Sequence, residues 1–281
     1  MASTATAEGG KRSWPRRPGA LARVVVLLAA VGAAVAMVAG STDGPAGKVI
    51  PVTSPLAVAP PTIPASPSPS EVPPSPEPPV LQEPGPLPST GPGRFRYDDQ
   101  VGPVLGTAGA VQRYRVAVES GSGVKVGEFG LAVRAALAGP GSWVDSGRLR
   151  LRQVTADSRF DFTVYLVTAG TAARMCAAGN VDIRIGGQPY TSCRAPGKVI
   201  INLDRWRLSV PHFVEAEVPL SVYRTYVINH EVGHQLGNRH ERCPRRGEPA
   251  PVMMQQTLFL KGCVANPWPY LDGRRYAGPP L

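Results

Sequence analysis

Apolar residues change their spacing along the chain, and the changes mark three blocks. From 24 to 40 they run unbroken for 17 positions. From 41 to 93 they are broken up by 17 prolines. From residue 94 onward they recur with periods near two and near four, as strands and helices require. Residues 111–118 read as a strand. Residues 124–137 place Val126, Phe129, Val133 and Leu137 at helical spacing, and Gly139-Pro140-Gly141 stops the helix. Arg148-Leu-Arg-Leu-Arg152 alternates strictly, which predicts a half-buried strand with an arginine face. Residues 162–167, 181–185 and 198–203 are three further strand candidates. Pro219 then opens a long helix that continues through His234. The expected order is strand, helix, four strands, helix. That order predicts an α+β or α/β fold with a mainly single sheet backed by helices.

The outer blocks predict an address. Lys11, Arg12, Arg16, Arg17 and Arg23 precede the apolar run, which is about 25 Å long as a helix. It is long for a cleaved signal, so residues 24–40 are expected to be a transmembrane signal-anchor behind a cytoplasmic basic tail at 1–23. The alternative is secretion after cleavage near Ala34-Val35-Ala36. Residues 41–93 read as a Pro-rich disordered spacer that favours extended polyproline conformation. The domain at 94–281 is then extracytoplasmic, on a single-pass protein of the cell membrane.

Charge and cysteine content bear on partners. Residues 94–281 hold 24 bases and 15 acids. A basic domain can attract anionic polymers, and an anionic cell-wall polymer is one expected partner. No nucleic-acid motif is visible, and none is expected as a partner. Four cysteines, Cys176, Cys193, Cys243 and Cys263, lie in the last block and fit an oxidising compartment. They allow three pairings, which the sequence does not decide. Neighbour pairing, Cys176 with Cys193 and Cys243 with Cys263, is preferred. Zinc ligation by these cysteines is the rival, but C-x-x-C spacing is missing.

The chemistry sits in His230-Glu231-Val232-Gly233-His234-Gln235-Leu236-Gly237-Asn238-Arg239-His240. On a helix His230 and His234 fall about 40° apart and about 6 Å along the axis, so both imidazoles can reach one metal. Glu231 lies beside them, better placed to hold water than to ligate. Gly237 can end the helix in a left-handed conformation and let His240 return as third ligand. Three neutral imidazoles suit Zn2+ with one position open for water, whose proton Glu231 can take. The fourth histidine, His212, sits in a Pro-flanked loop and reads as a surface residue.

The string His230-Glu231-x-x-His234-x-x-Gly237-x-x-His240 resembles the extended zinc signature of the metzincin clan of metalloendopeptidases. By that resemblance the fold is metzincin-like: a twisted sheet backed by two helices (94–237), then a small irregular C-terminal subdomain (238–281) tied by Cys243–Cys263. Pro251-Val252-Met253-Met254 is placed for the methionine turn beneath the zinc, with Met253 favoured over Met254. The strand at 181–185 could be the edge along which substrate lies. No Tyr follows closely on the methionine turn, and no Cys precedes Cys176 to serve as a cysteine switch. The wider arrangement also resembles a family of actinobacterial exported proteins, over about 94–281, which names no substrate. The implied function is a zinc metallopeptidase acting on polypeptides. The alternatives are an inactive zinc domain that binds envelope polymers, or a zinc amidase acting on peptidoglycan.

Overall fold

The computed structural model describes residues 77–281. The expected basic tail, anchor and most of the spacer lie outside the described residues. Among the described residues, no helix is long and apolar enough to cross a membrane.

The fold is α+β. Strands β1 (Phe95–Tyr97), β2 (Val104–Leu105) and β3 (Ala110–Glu119) lead into helix α1 (Val126–Ala138). A short 3-10 turn at Trp143–Ser146 is followed by β4 (Leu149–Gln153), β5 (Phe162–Val167) and helix α2 (Ala169–Ala177). A small hairpin, β6 (Arg184–Ile185) and β7 (Gln188–Pro189), precedes β8 (Cys193–Ala195) and β9 (Lys198–Asn202). Helices α3 (Leu203–Leu208), α4 (Pro211–Glu215) and α5 (Leu220–Gln235) follow, and the hairpin β10 (Tyr270–Leu271) and β11 (Arg274–Arg275) lies near the C-terminus.

The main sheet is mixed, in the order β2-β4-β3-β5-β9-β8, with β1 joined to β3. β4, β3, β5 and β9 run parallel, while β1, β2 and β8 are antiparallel to their partners. Every residue of β5 is buried, because the strand is covered on both faces. On one face Val116, Val164, Leu166 and Ile201 pack with Phe129 and Val133 of α1 and Tyr223, Tyr226 and Val227 of α5. On the other, Ala117, Tyr165 and Ile200 pack with Ala172, Ala173 and Cys176 of α2.

The element order differs from the expected one. α2 stands between β5 and the remaining strands. Its Ala-Gly-Thr-Ala-Ala-Arg-Met-Cys-Ala sequence packs through small side chains and carries no large apolar stripe to read. Residues 181–185 are not a sheet strand. Only Arg184–Ile185 pair, and they pair with β7 in a separate two-stranded sheet. The edge strand is β8, which is held to α2 by the Cys176–Cys193 disulfide. A second disulfide joins Cys243 and Cys263. Both bridges fit an oxidising compartment, and they remove the cysteines from metal ligation.

Packing also begins upstream of 94. Val80 O accepts from Leu220 N–H at 2.8 Å, and Glu83 N–H donates to Arg207 O at 2.8 Å. Arg207 donates to Pro84 O and Pro86 O, and the Glu83 carboxylate meets Arg224 at 2.7 Å. Proline lacks an N–H but keeps its carbonyl acceptor. A Pro-rich segment can therefore dock through arginine donors without pairing as a strand.

Candidate metal centre

Helix α5 and the chain after it supply three imidazoles. The helix buries Leu220, Tyr223, Tyr226, Val227 and His230 along one side. At Gly233 a methyl group would collide with Met253 Sδ and the Trp143 indole. Glycine there lets the helix lie directly on the turn that carries Met253. That turn is closed by Met254 N–H donating to Pro251 O at 2.9 Å. Met253 belongs to the main core beside Trp143 and Val252. Met254 instead packs with Ala250 and Cys263 around the second disulfide.

Gly237 has φ +93, the left-handed region that stops the helix. Asn238 then folds back, its backbone N–H and its Nδ2 both donating to Gly233 O, at 2.9 and 3.1 Å. The reversal presents Asn238 O to His234 Nδ1 at 2.9 Å. Val252 O faces His230 Nδ1 at 2.8 Å. A carbonyl only accepts, so both Nδ1 atoms carry the hydrogen and both Nε2 atoms keep a lone pair. His240 is placed by its neighbours: Glu241 N–H donates to Met253 O and Leu281 N–H donates to His240 O.

These constraints bring His230, His234 and His240 together. His234 Nε2 lies 3.0 Å from His240 Nε2, and one ligand nitrogen from each of the three histidines lies within 4.8 Å of the others. Burial pushes the His230 pKa well below its ordinary value, and His234 and His240 reinforce this against the Val252 hydrogen bond. Burial also lowers His234. Burial and then His234 bring His240 down to about 4. Three crowded imidazoles, one buried and two half-buried, thus favour the neutral form, which a divalent metal requires. The three histidines can hold a metal ion.

Glu231 lines the same cavity of about 550 Å³. It is 5% exposed, and no side-chain hydrogen bond among the described residues reaches its carboxylate. Burial pushes its pKa up to about 8. Thr191, Arg194 of β8, Gln255 and Leu258 form other parts of the cavity wall. Of the expected edge segment, only Val181 and Asp182 reach it. His212 is elsewhere. It is half-buried in α4, with Nε2 2.8 Å from Gln256 O.

Three contributors were not singled out from the sequence. Arg194 donates Nε to Gln235 Oε1 at 3.1 Å. Asn238 and Val252 act through backbone carbonyls, which no side-chain pattern betrays. The glycine at 233, between the two helical histidines, was the one available signal that something packs closely beneath them.

No curated protein and no solved structure matches the chain. A family model does match, over residues 81–267. The match begins near Val80, where the docked segment meets α5, and it spans the histidine cluster. The chain belongs to the family described as protein of unknown function (DUF3152).

Proposed function

We propose that this chain is a zinc-dependent metallopeptidase of the metzincin kind, acting on polypeptides outside the cytoplasm. The observation that carries the reading is a Glu231 carboxylate that no other side chain hydrogen-bonds among the described residues, lining the same cavity as three clustered imidazoles, two of them with fixed tautomers. A structural metal site needs no such acid. Support also comes from a mixed sheet whose antiparallel edge strand β8 borders the cavity, from α1 and α5 on one face of that sheet and from Met253 packed under α5.

His230, His234 and His240 would hold the ion. Zinc bound there would supply a Lewis acid that polarises a peptide carbonyl and makes water a better nucleophile. Beside a bound cation Glu231 would be ionised despite its burial, and it takes one proton from that water as the water oxygen bonds to the carbonyl carbon. It then passes the proton to the departing nitrogen as the C–N bond breaks, leaving an acid and an amine. The hydrogen bonds to Val252 O and Asn238 O keep two rings from rotating during this exchange. Export and membrane anchoring through 24–40 are part of the proposal; the two disulfides support the export.

The test joins metal analysis to an unbiased peptide-library digest of the purified protein. The expected result is one zinc per chain and cleavage abolished by chelation. Glu231→Gln should keep the metal and lower hydrolysis by about a hundredfold to ten-thousandfold. Equal rates for wild type and this variant would remove the enzyme reading. Release of peptide from purified wall material, with the library untouched, would transfer the same chemistry to a peptidoglycan amide.

A further inference from the structure

The face of the sheet turned away from α1 and α5 carries a second feature, independent of the metal centre. α2 covers this face over residues such as Ala117, Tyr165 and Ile200. Beside the start of β5 it is exposed, and basic side chains occupy it. Arg113 of β3 and Arg152 of β4 stand directly opposite in the parallel register, and both are exposed. Like charges so placed repel and weaken a sheet. Among the described residues neither takes part in an ion pair, and neither does Arg159 in the loop that faces them. Asp161, the one acid in the same concavity, gives an oxygen to the Arg113 backbone N–H at 2.6 Å.

The concavity holds about 570 Å³ between Arg113, Arg152, Arg159 and Phe160. Phe160 is 44% exposed. Its ring is fixed from below by the Arg115 guanidinium, 3.4 Å from the centroid. Arg115 is itself held by Ala156 O and Thr163 Oγ1. A rigid aromatic face thus borders three guanidinium groups that make no ion pair among the described residues and outnumber the single carboxylate of the hollow.

We propose that this concavity binds a phosphate-bearing polysaccharide of the cell surface, with the arginines on its phosphodiesters and Phe160 against a sugar ring. Guanidinium forks match phosphate oxygens, and an exposed aromatic face suits the apolar side of a sugar. The shape favours a polymer strand over a membrane, because the charges line a hollow and do not form a flat face. The disulfides place the protein away from cytoplasmic nucleic acid.

The test titrates full-length protein with a polymer of hexose units joined by phosphodiesters, at about 50 mM and about 0.5 M salt. Expected is binding at low salt that weakens strongly at high salt. Arg113→Glu/Arg152→Glu should weaken low-salt binding by about tenfold or more. Phe160→Ala, which keeps every charge, should weaken it by about fivefold. Metal content and peptide cleavage should stay at the wild-type level in both. If the double variant does not fold, Arg152→Gln replaces it, with an expected loss of about threefold. Absence of wild-type binding at low salt would overturn the proposal, and so would unchanged affinity in these variants. Tighter binding to DNA or to anionic phospholipid vesicles would overturn it in favour of those partners.

Discussion

Two carboxylates with similarly little exposed surface stand in opposite states. Glu119, at the end of β3, is 1% exposed, and Glu231 in α5 is 5% exposed. Glu119 accepts from Gly93 N–H, Thr171 Oγ1, Thr168 N–H and Thr168 Oγ1, at 2.7–2.9 Å. Burial raises its pKa, but these four donors outweigh burial and the net shift is downward. Glu231 has only the burial, and its pKa rises to about 8. Burial alone therefore does not identify a functional acid. The number of donors aimed at it separates a carboxylate that fastens elements together from one that is left available to react.

The contrast can be broken most decisively at Glu231. Its replacement by Gln should remove hydrolysis, as above, yet raise the stability of chelated protein by about 1 kcal/mol, because burial disfavours the ionised acid that Gln replaces. A lower melting temperature for that variant would mean the carboxylate is structurally satisfied. Glu119→Gln should do the reverse. It turns an NH2 group onto donors and should cost about 3 kcal/mol, or about 6–12 °C in thermal melting for a domain of this size. Metal stoichiometry should not change, and loss of metal in this variant would tie Glu119 to the site. Gly233→Ala presses a methyl group into Met253 and Trp143. It should cost about 1–3 kcal/mol and weaken metal retention, read by competition with a chelator. The smallest effect is in pH. Because the folded pKa of Glu119 is depressed, its contribution is full above the unfolded carboxyl pKa of about 4.3. It is lost as pH falls through the folded value. Denaturant midpoints measured below pH 5 should fall less steeply in Glu119→Gln than in wild type.

The same contrast explains what the sequence could show. The histidine string is legible because its geometry is local: helical spacing sets His230 and His234, and Gly237 with its left-handed φ returns His240 within six residues of His234. Strands β3, β4, β5 and β9 and helices α1 and α5 are legible because each has enough apolar residues to show a period. Glu119 is not legible, because its donors lie 26, 49 and 52 positions away. α2 hides in small residues. α3 and α4 are six and five residues long, too short for a repeat. The edge strand β8 has three residues and depends on pairing with β9. The docking of residues 80–93 was hidden for a different reason. Proline signals what a segment cannot donate, and here the segment is held by what it accepts.

That docking gives the domain a mechanical property. Val80 is tied to Leu220, the first residue of the helix that bears His230 and His234, and Glu83 grips Arg224 one turn later. A pull on the chain ahead of Val80 would load these bonds, and through them the start of α5, before it reached the sheet. A force applied there would be felt about 15 Å from the first imidazole, along a stiff rod of ten residues.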